Sequence, residues 1–248
     1  MNRSLMCLLV MVLSQLGGLA RALTIPEDSV VRIAVQESLQ KKGISLSCMA
    51  PLADEPAKIE MSIAFKDTIT LDKQVYVLAI SSTKTGSLHG HVLGCVNYFF
   101  LKDVNNRWEV TSGIVSQKSS PIGDDPSYQI VNIGKNRKAL LSVFQSTGNS
   151  HFEKKTFVQE ITLEKLTPLL TIDSEYDNSA WKTSEEGGKD CEAVRITQEF
   201  EIIKSDQAWY DVMVKESRYG FQKDCETTFL IEATDIVYVY REGEYVLK

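Results

Sequence analysis

Two nearly matching runs, Gly188-Lys189-Asp190-Cys191-Glu192 and Gln222-Lys223-Asp224-Cys225-Glu226, bracket the stretch that most limits what this chain can become. Between them the residues alternate. Val194, Ile196, Phe200 and Ile202 fall on one parity and Arg195, Thr197, Glu199 and Glu201 on the other, with Gln198 the one polar residue on the apolar side. A period of two belongs to a strand with one face on a core and the other in water. Lys204-Ser205-Asp206-Gln207 then reverses the chain, and Tyr210, Val212 and Val214 alternate with Trp209, Asp211, Met213 and Lys215 on the way back. The unit is a hairpin with a cysteine beyond each end, the signature of an exported β-protein. It carries no chemistry of its own.

The first 22 residues read as a signal peptide. Arg3 precedes an apolar run from Leu5 to Leu13, and Ala20-Arg21-Ala22 places small residues at the minus-three and minus-one positions of a cleavage site after Ala22. The run is too short to span a bilayer, so the chain from Leu23 onward is expected to be exported without membrane insertion. Cleavage removes two of the 27 basic residues and none of the 33 acidic ones, so the net charge falls from −6 to −8. That balance repels phosphate backbones and anionic lipid, and it argues against nucleic acid as a partner.

Four cysteines follow the leader: Cys48, Cys95, Cys191 and Cys225. An even count in an exported chain implies disulfides, and the early and late grouping suggests Cys48 with Cys95 and Cys191 with Cys225. Closing such loops is worth roughly 3–4 kcal/mol in the chain-entropy description. No asparagine after the leader has Ser or Thr two residues later, which tilts the expected compartment toward a bacterial periplasm.

The exported region opens with one helix. Pro26 suits its first turn, Glu27 and Asp28 complement its N-terminus, Val31, Ala34, Val35 and Leu39 make an apolar stripe, and Lys41-Lys42-Gly43 ends it. Strands follow almost without interruption. Val75 to Ile80 is a continuous apolar run, as in a central strand buried on both faces. Asn105-Asn106 and Glu242-Gly243 each read as the turn of a tight hairpin. Pro121, Gly123 and Pro126 mark a loop, and a sub-domain break, if the domain has one, falls near 116–127. Thr171 to Asp190 reads as a solvated acidic loop.

The expected fold is therefore mainly β: an antiparallel meander of short strands with one N-terminal helix, arranged as one curved array or as two adjoining sheets. A propeller-like arrangement is the second choice. Residues 23–248 form a single exported β-rich domain in this reading.

The chemistry the sequence offers is sparse. His89, His91 and Cys95 share a strand parity, as metal ligands on a sheet could, but a disulfide at Cys95 would withhold the thiolate, so neither metal nor cofactor is expected. Asp173, Glu175 and Asp177 recur at every second position, yet Asn178 and Ser184 stand where a calcium loop needs Gly and Glu. No G-x-S-x-G elbow, phosphate loop or H-E-x-x-H helix occurs. The expectation is a non-catalytic exported protein that binds another protein, most concretely a periplasmic inhibitor or immunity-type protein. Asp173, Glu175, Asp177 and Trp181 are the candidate contacts, an acidic loop with an aromatic anchor. An envelope-acting hydrolase and a small-ligand or metal-binding periplasmic protein are the alternatives.

Overall fold

The computed structural model describes residues 24–43, 60–88, 91–115, 120–122, 126–147, 152–178, 193–222 and 227–248. Among them are one helix and thirteen strands in two antiparallel sheets. The mainly β architecture with a helix near the N-terminus is as the sequence predicts, and of the arrangements expected it is the two adjoining sheets. The signal peptide and the cysteines Cys48, Cys191 and Cys225 lie outside the described residues.

Helix α1 (Asp28–Lys42) buries Val31, Ala34, Val35 and Leu39, the four residues of its apolar stripe. Gly43 closes it in the left-handed conformation at φ 65°, and its N–H donates back to the Gln40 and Leu39 carbonyls. At the other end Lys66 Nζ donates to the Pro26 carbonyl at 2.7 Å and pairs with Asp28 at 2.5 Å, fixing the first turn to the sheet.

The first sheet runs β1 (Glu60–Leu71), β2 (Gln74–Leu88), β3 (His91–Val104), β4 (Arg107–Val115), with β5 (Ser120–Ile122) continuing the line of β4 along β3. Strand β2 shows why its apolar run is unbroken. Val77 and Ala79 meet the helix stripe together with Phe99 and Leu101 of β3, while Tyr76, Leu78 and Ile80 turn the other way with Phe100. That second layer is closed by Leu140 and Ile161 of the other sheet, so one strand serves two cores. The turns at Asp72-Lys73 and Asn105-Asn106 place both central residues at positive φ, matching the right-handed twist of the strands they join.

The second sheet is a meander of consecutive neighbours: β6 (Ser127–Gly134), β7 (Arg137–Thr147), β8 (Phe152–Ile161), β9 (Leu166–Asp177), β10 (Val194–Ile203), β11 (Asp211–Phe221), β12 (Thr228–Arg241) and β13 (Glu244–Leu247). Its middle is thin. Strands β9 and β10 share only three register pairs, Arg195 with Asp177, Ile196 with Tyr176 and Thr197 with Glu175. The two halves then pack on each other: Ile133, Ala139, Leu141, Val158, Leu169 and Ile172 from one half meet Val212, Val214 and Tyr245 from the other.

The halves are also tied at a second place, between the β6–β7 turn and the β10–β11 connection. Lys135 N–H donates to the Ala208 carbonyl at 3.1 Å and Tyr210 N–H to the Ile133 carbonyl at 2.9 Å. Gly134 permits this approach, since a Cβ there would stand 2.1 Å from the Ala208 carbonyl oxygen. Above the junction Trp209 stacks on Tyr240 at 3.5 Å between ring centres, and the Arg137 guanidinium covers Trp209 at 4.2 Å. The sheet curls without closing into a barrel.

Candidate functional site

The acidic residues singled out from the sequence do not form a loop. Asp173, Glu175 and Asp177 belong to β9, which extends to Asp177 because β8 and β10 supply partners on both sides. Lys155 stands opposite Asp173 in register, 3.9 Å from its carboxylate and 3.3 Å from Glu153. Arg195 reaches Glu175 at 2.5 Å and Asp177 at 4.0 Å. Glu175 and Asp177 are only about one-fifth exposed, whereas Asp173 keeps 69%. All three carboxylates thus lie within 4.0 Å of a cation of the same sheet, and Asp173 is the most exposed of them. Trp181, the fourth member of the candidate set, lies outside the described residues, as does His89. His91 and Cys95 stand on the backbone of β3, and their side chains are likewise outside what is described.

Where β9 and β10 part, the sheet opens a notch of about 270 Å³ lined by Glu153, Lys155, Asp173, Gln198, Glu216 and Arg218, among others. This explains the one break in the β10 alternation. Gln198 sits on the apolar parity because the inner face is already polar there, and its amide donates to Glu216 at 2.6 Å across the strand pair.

The feature that sequence reasoning missed lies on β12. Residues Thr228 to Asp235 are all exposed, including Phe229 at 50%, Leu230 at 55% and Ile231 at 55%. Strand β11 pairs with one edge of this segment, from Phe221 opposite Thr228 to Lys215 opposite Asp235. The other edge is met by β13 only from Tyr238 to Arg241, with Lys248 N–H adding one bond to the Val237 carbonyl. A run of eight residues therefore presents a strand edge that no strand of the described residues pairs with, together with three consecutive large apolar side chains.

The local packing sets how those side chains stand. A bulge between Arg218 and Tyr219 leaves Ile231 as the extra residue of β12, and Phe229 faces Gly220. A side chain at residue 220 would meet the Phe229 ring at 2.7 Å and Ile231 at 3.2 Å, so the glycine seats both on the sheet surface without covering them. Natural sheets normally blunt such an edge with lysine, proline or a covering loop, and from Thr228 to Asp235 the only charges are Glu232 and Asp235. One sequence signal pointed here: a long strand from Phe229 to Tyr240 folded back on the short Tyr245–Leu247 leaves most of its own length without that partner.

No protein-family model matches this chain, and neither a curated protein nor a solved structure is similar to it at a significant level.

Proposed function

We propose that this protein acts by binding another protein, an extended segment of which adds as a new strand to the open edge of β12. The observation that supports this reading is the coincidence, from Thr228 to Asp235, of an outer edge that no described strand pairs with and half-exposed Phe229, Leu230 and Ile231. Strand addition draws affinity from main-chain hydrogen bonds and specificity from the alternate side chains beside them, and this edge offers both. Burying three such side chains on a partner would contribute several kcal/mol before the cost of association.

Charge narrows the partner. Glu232 and Asp235 give the edge a negative sign within a chain of net charge −6, so the complementary strand carries lysine or arginine beside apolar residues. In its most concrete form the partner is an envelope-active enzyme with a basic cleft, and the bound protein is its periplasmic inhibitor. The absence of catalytic motifs in the sequence favours binding over turnover.

Affinity capture from the envelope and secreted fractions of the producing cell, run in parallel with the natural chain and with the double variant Phe229→Lys/Ile231→Lys, tests the reading. The expected result is one near-stoichiometric protein retained by the natural chain and lost by the variant, with an unchanged melting temperature for the variant. A protein retained equally by both overturns the role of β12. Sedimentation of the natural chain alone covers the remaining case: a dimer that the variant abolishes assigns the edge to a second copy and refutes the heterologous partner.

A further inference from the structure

The chain is acidic, yet one cleft in it is not. Between the β1–β2 turn and the β6–β7 turn lies an opening of about 640 Å³ whose walls include Lys73, Lys135, Lys138, Asn132 and Asn136, with Asp72 the one carboxylate among them. The ion pairs formed by lysines of the described residues use Lys66, Lys155 and Lys215. No carboxylate of a described residue lies within 4.0 Å of the ammonium groups of Lys73, Lys135 or Lys138. Three cations against one anion leave the lining at +2. The notch between β9 and β10, by contrast, carries four carboxylates and two cations.

The walls are fixed by backbone. Lys73 occupies a two-residue turn at φ 63° beside Asp72 at φ 49°. Lys135 is anchored through its own N–H to the Ala208 carbonyl, and Lys138 stands opposite Asn132 in the β6–β7 register. The lysines come from both sheets, so the cleft exists only because the sheets pack together. Amide groups of Asn132 and Asn136 add neutral donors between the charges.

We propose that this cleft is an oxyanion-binding site, taking a phosphate or sulfate group carried on a larger molecule. Net charge does not oppose it. Fields of exposed charges fade over about 8 Å at physiological salt, so an anion in the cleft feels its three lysines far more than the acids elsewhere on the surface. Size sets the rest: the cleft falls in the range of roughly 300–1,000 Å³ used for small organic ligands, larger than a bare phosphate needs. A phosphorylated small molecule and a sulfated saccharide share the required chemistry.

The test is calorimetric titration of the full chain with two probes, inorganic pyrophosphate and a sulfated hexasaccharide, at low and physiological salt. Three proteins are compared: the natural chain, Lys73→Gln/Lys135→Gln/Lys138→Gln, and a charge-matched control, Lys66→Gln/Lys155→Gln/Lys215→Gln. Saturable binding of at least one probe, weakened at least about tenfold in the first triple variant and retained in the control, is the expected result. Pyrophosphate binding assigns a small phosphorylated ligand; binding of the hexasaccharide alone assigns a sulfated polymer. Equal binding by both triple variants, or no saturable binding of either probe, overturns the site. Should the first triple variant fold poorly, Lys73→Gln at the exposed turn carries the same test. The β12 double variant should leave this binding unchanged, which separates the two proposals.

Discussion

Two apolar runs of similar composition meet opposite fates in this molecule. Val75-Tyr76-Val77-Leu78-Ala79-Ile80 on β2 and Phe229-Leu230-Ile231 on β12 are both uninterrupted stretches of strand-forming residues. Val77 through Ile80 are 0% exposed, while each residue of the β12 run keeps half its surface in water. Sequence pattern says that both are strands, and only topology says which is covered. Strand β2 has a helix on one face, a second sheet on the other and a strand along each edge; among the described residues the first half of β12 has a neighbour along one edge. The comparison separates apolar residues that hold the fold from those free for another task.

The sharpest way to break it is truncation. Leu78→Ala or Phe100→Ala removes side chains buried between the two sheets and should cost about 3–5 kcal/mol in urea unfolding. Ile231→Ala should change the same quantity by less than about 0.5 kcal/mol. Equal costs at the two places would mean that the β12 run is covered in solution.

Tyr98 tests the seal between the sheets by pH. Burial raises its phenol from 10.0 to about 12 because the charged form is disfavoured away from water. The neutral phenol is therefore favoured in the folded state. Its contribution is fully present below pH 10 and is lost as pH rises from 10 toward 12, on the order of 2–3 kcal/mol. Unfolding midpoints across that window should fall more steeply for the natural chain than for Tyr98→Phe. Burial shifts Tyr245 in the same direction, so some decline should persist in the variant.

Gly134→Ala probes the junction that lets the second sheet curl. Its Cβ would press on the Ala208 carbonyl, and the expected loss is about 1–3 kcal/mol in the same unfolding assay. A smaller effect than at Gly134 belongs to the paired acids of β9. Arg195→Met should cost at most about 1 kcal/mol, because the Arg195 side chain is 42% exposed and its pairing is screened by salt.

Much of the fold was legible because the relevant physics is local. The α1 stripe, the Asn105-Asn106 and Glu242-Gly243 turns and the hairpin joining β10 to β11 each follow from periodicity and turn chemistry within a few residues. The acidic stretch was misread for a reason that is not local. Asp173, Glu175 and Asp177 look solvated in isolation, and they became a strand because Lys155 and Arg195, 18 residues away on either side in the cases of Asp173 and Asp177, stand opposite them. The open edge of β12 was hidden by the same blindness in reverse: alternation and β-propensity report that a strand forms, and not how many neighbours it has. The cationic cleft needs two turns far apart in sequence to meet, which no spacing rule encodes.

Amide hydrogen exchange, first on the chain alone and then with the captured partner, tests the central claim most directly. In the free protein the outward-facing amides between Thr228 and Asp235 should exchange rapidly while those of Val77 to Ile80 approach the protection of global unfolding. Partner binding should then protect Thr228 to Asp235 more than any other segment. Protection of that segment already in the free monomer, or partner-induced protection confined to other strands, would contradict the assignment of β12 as the binding edge.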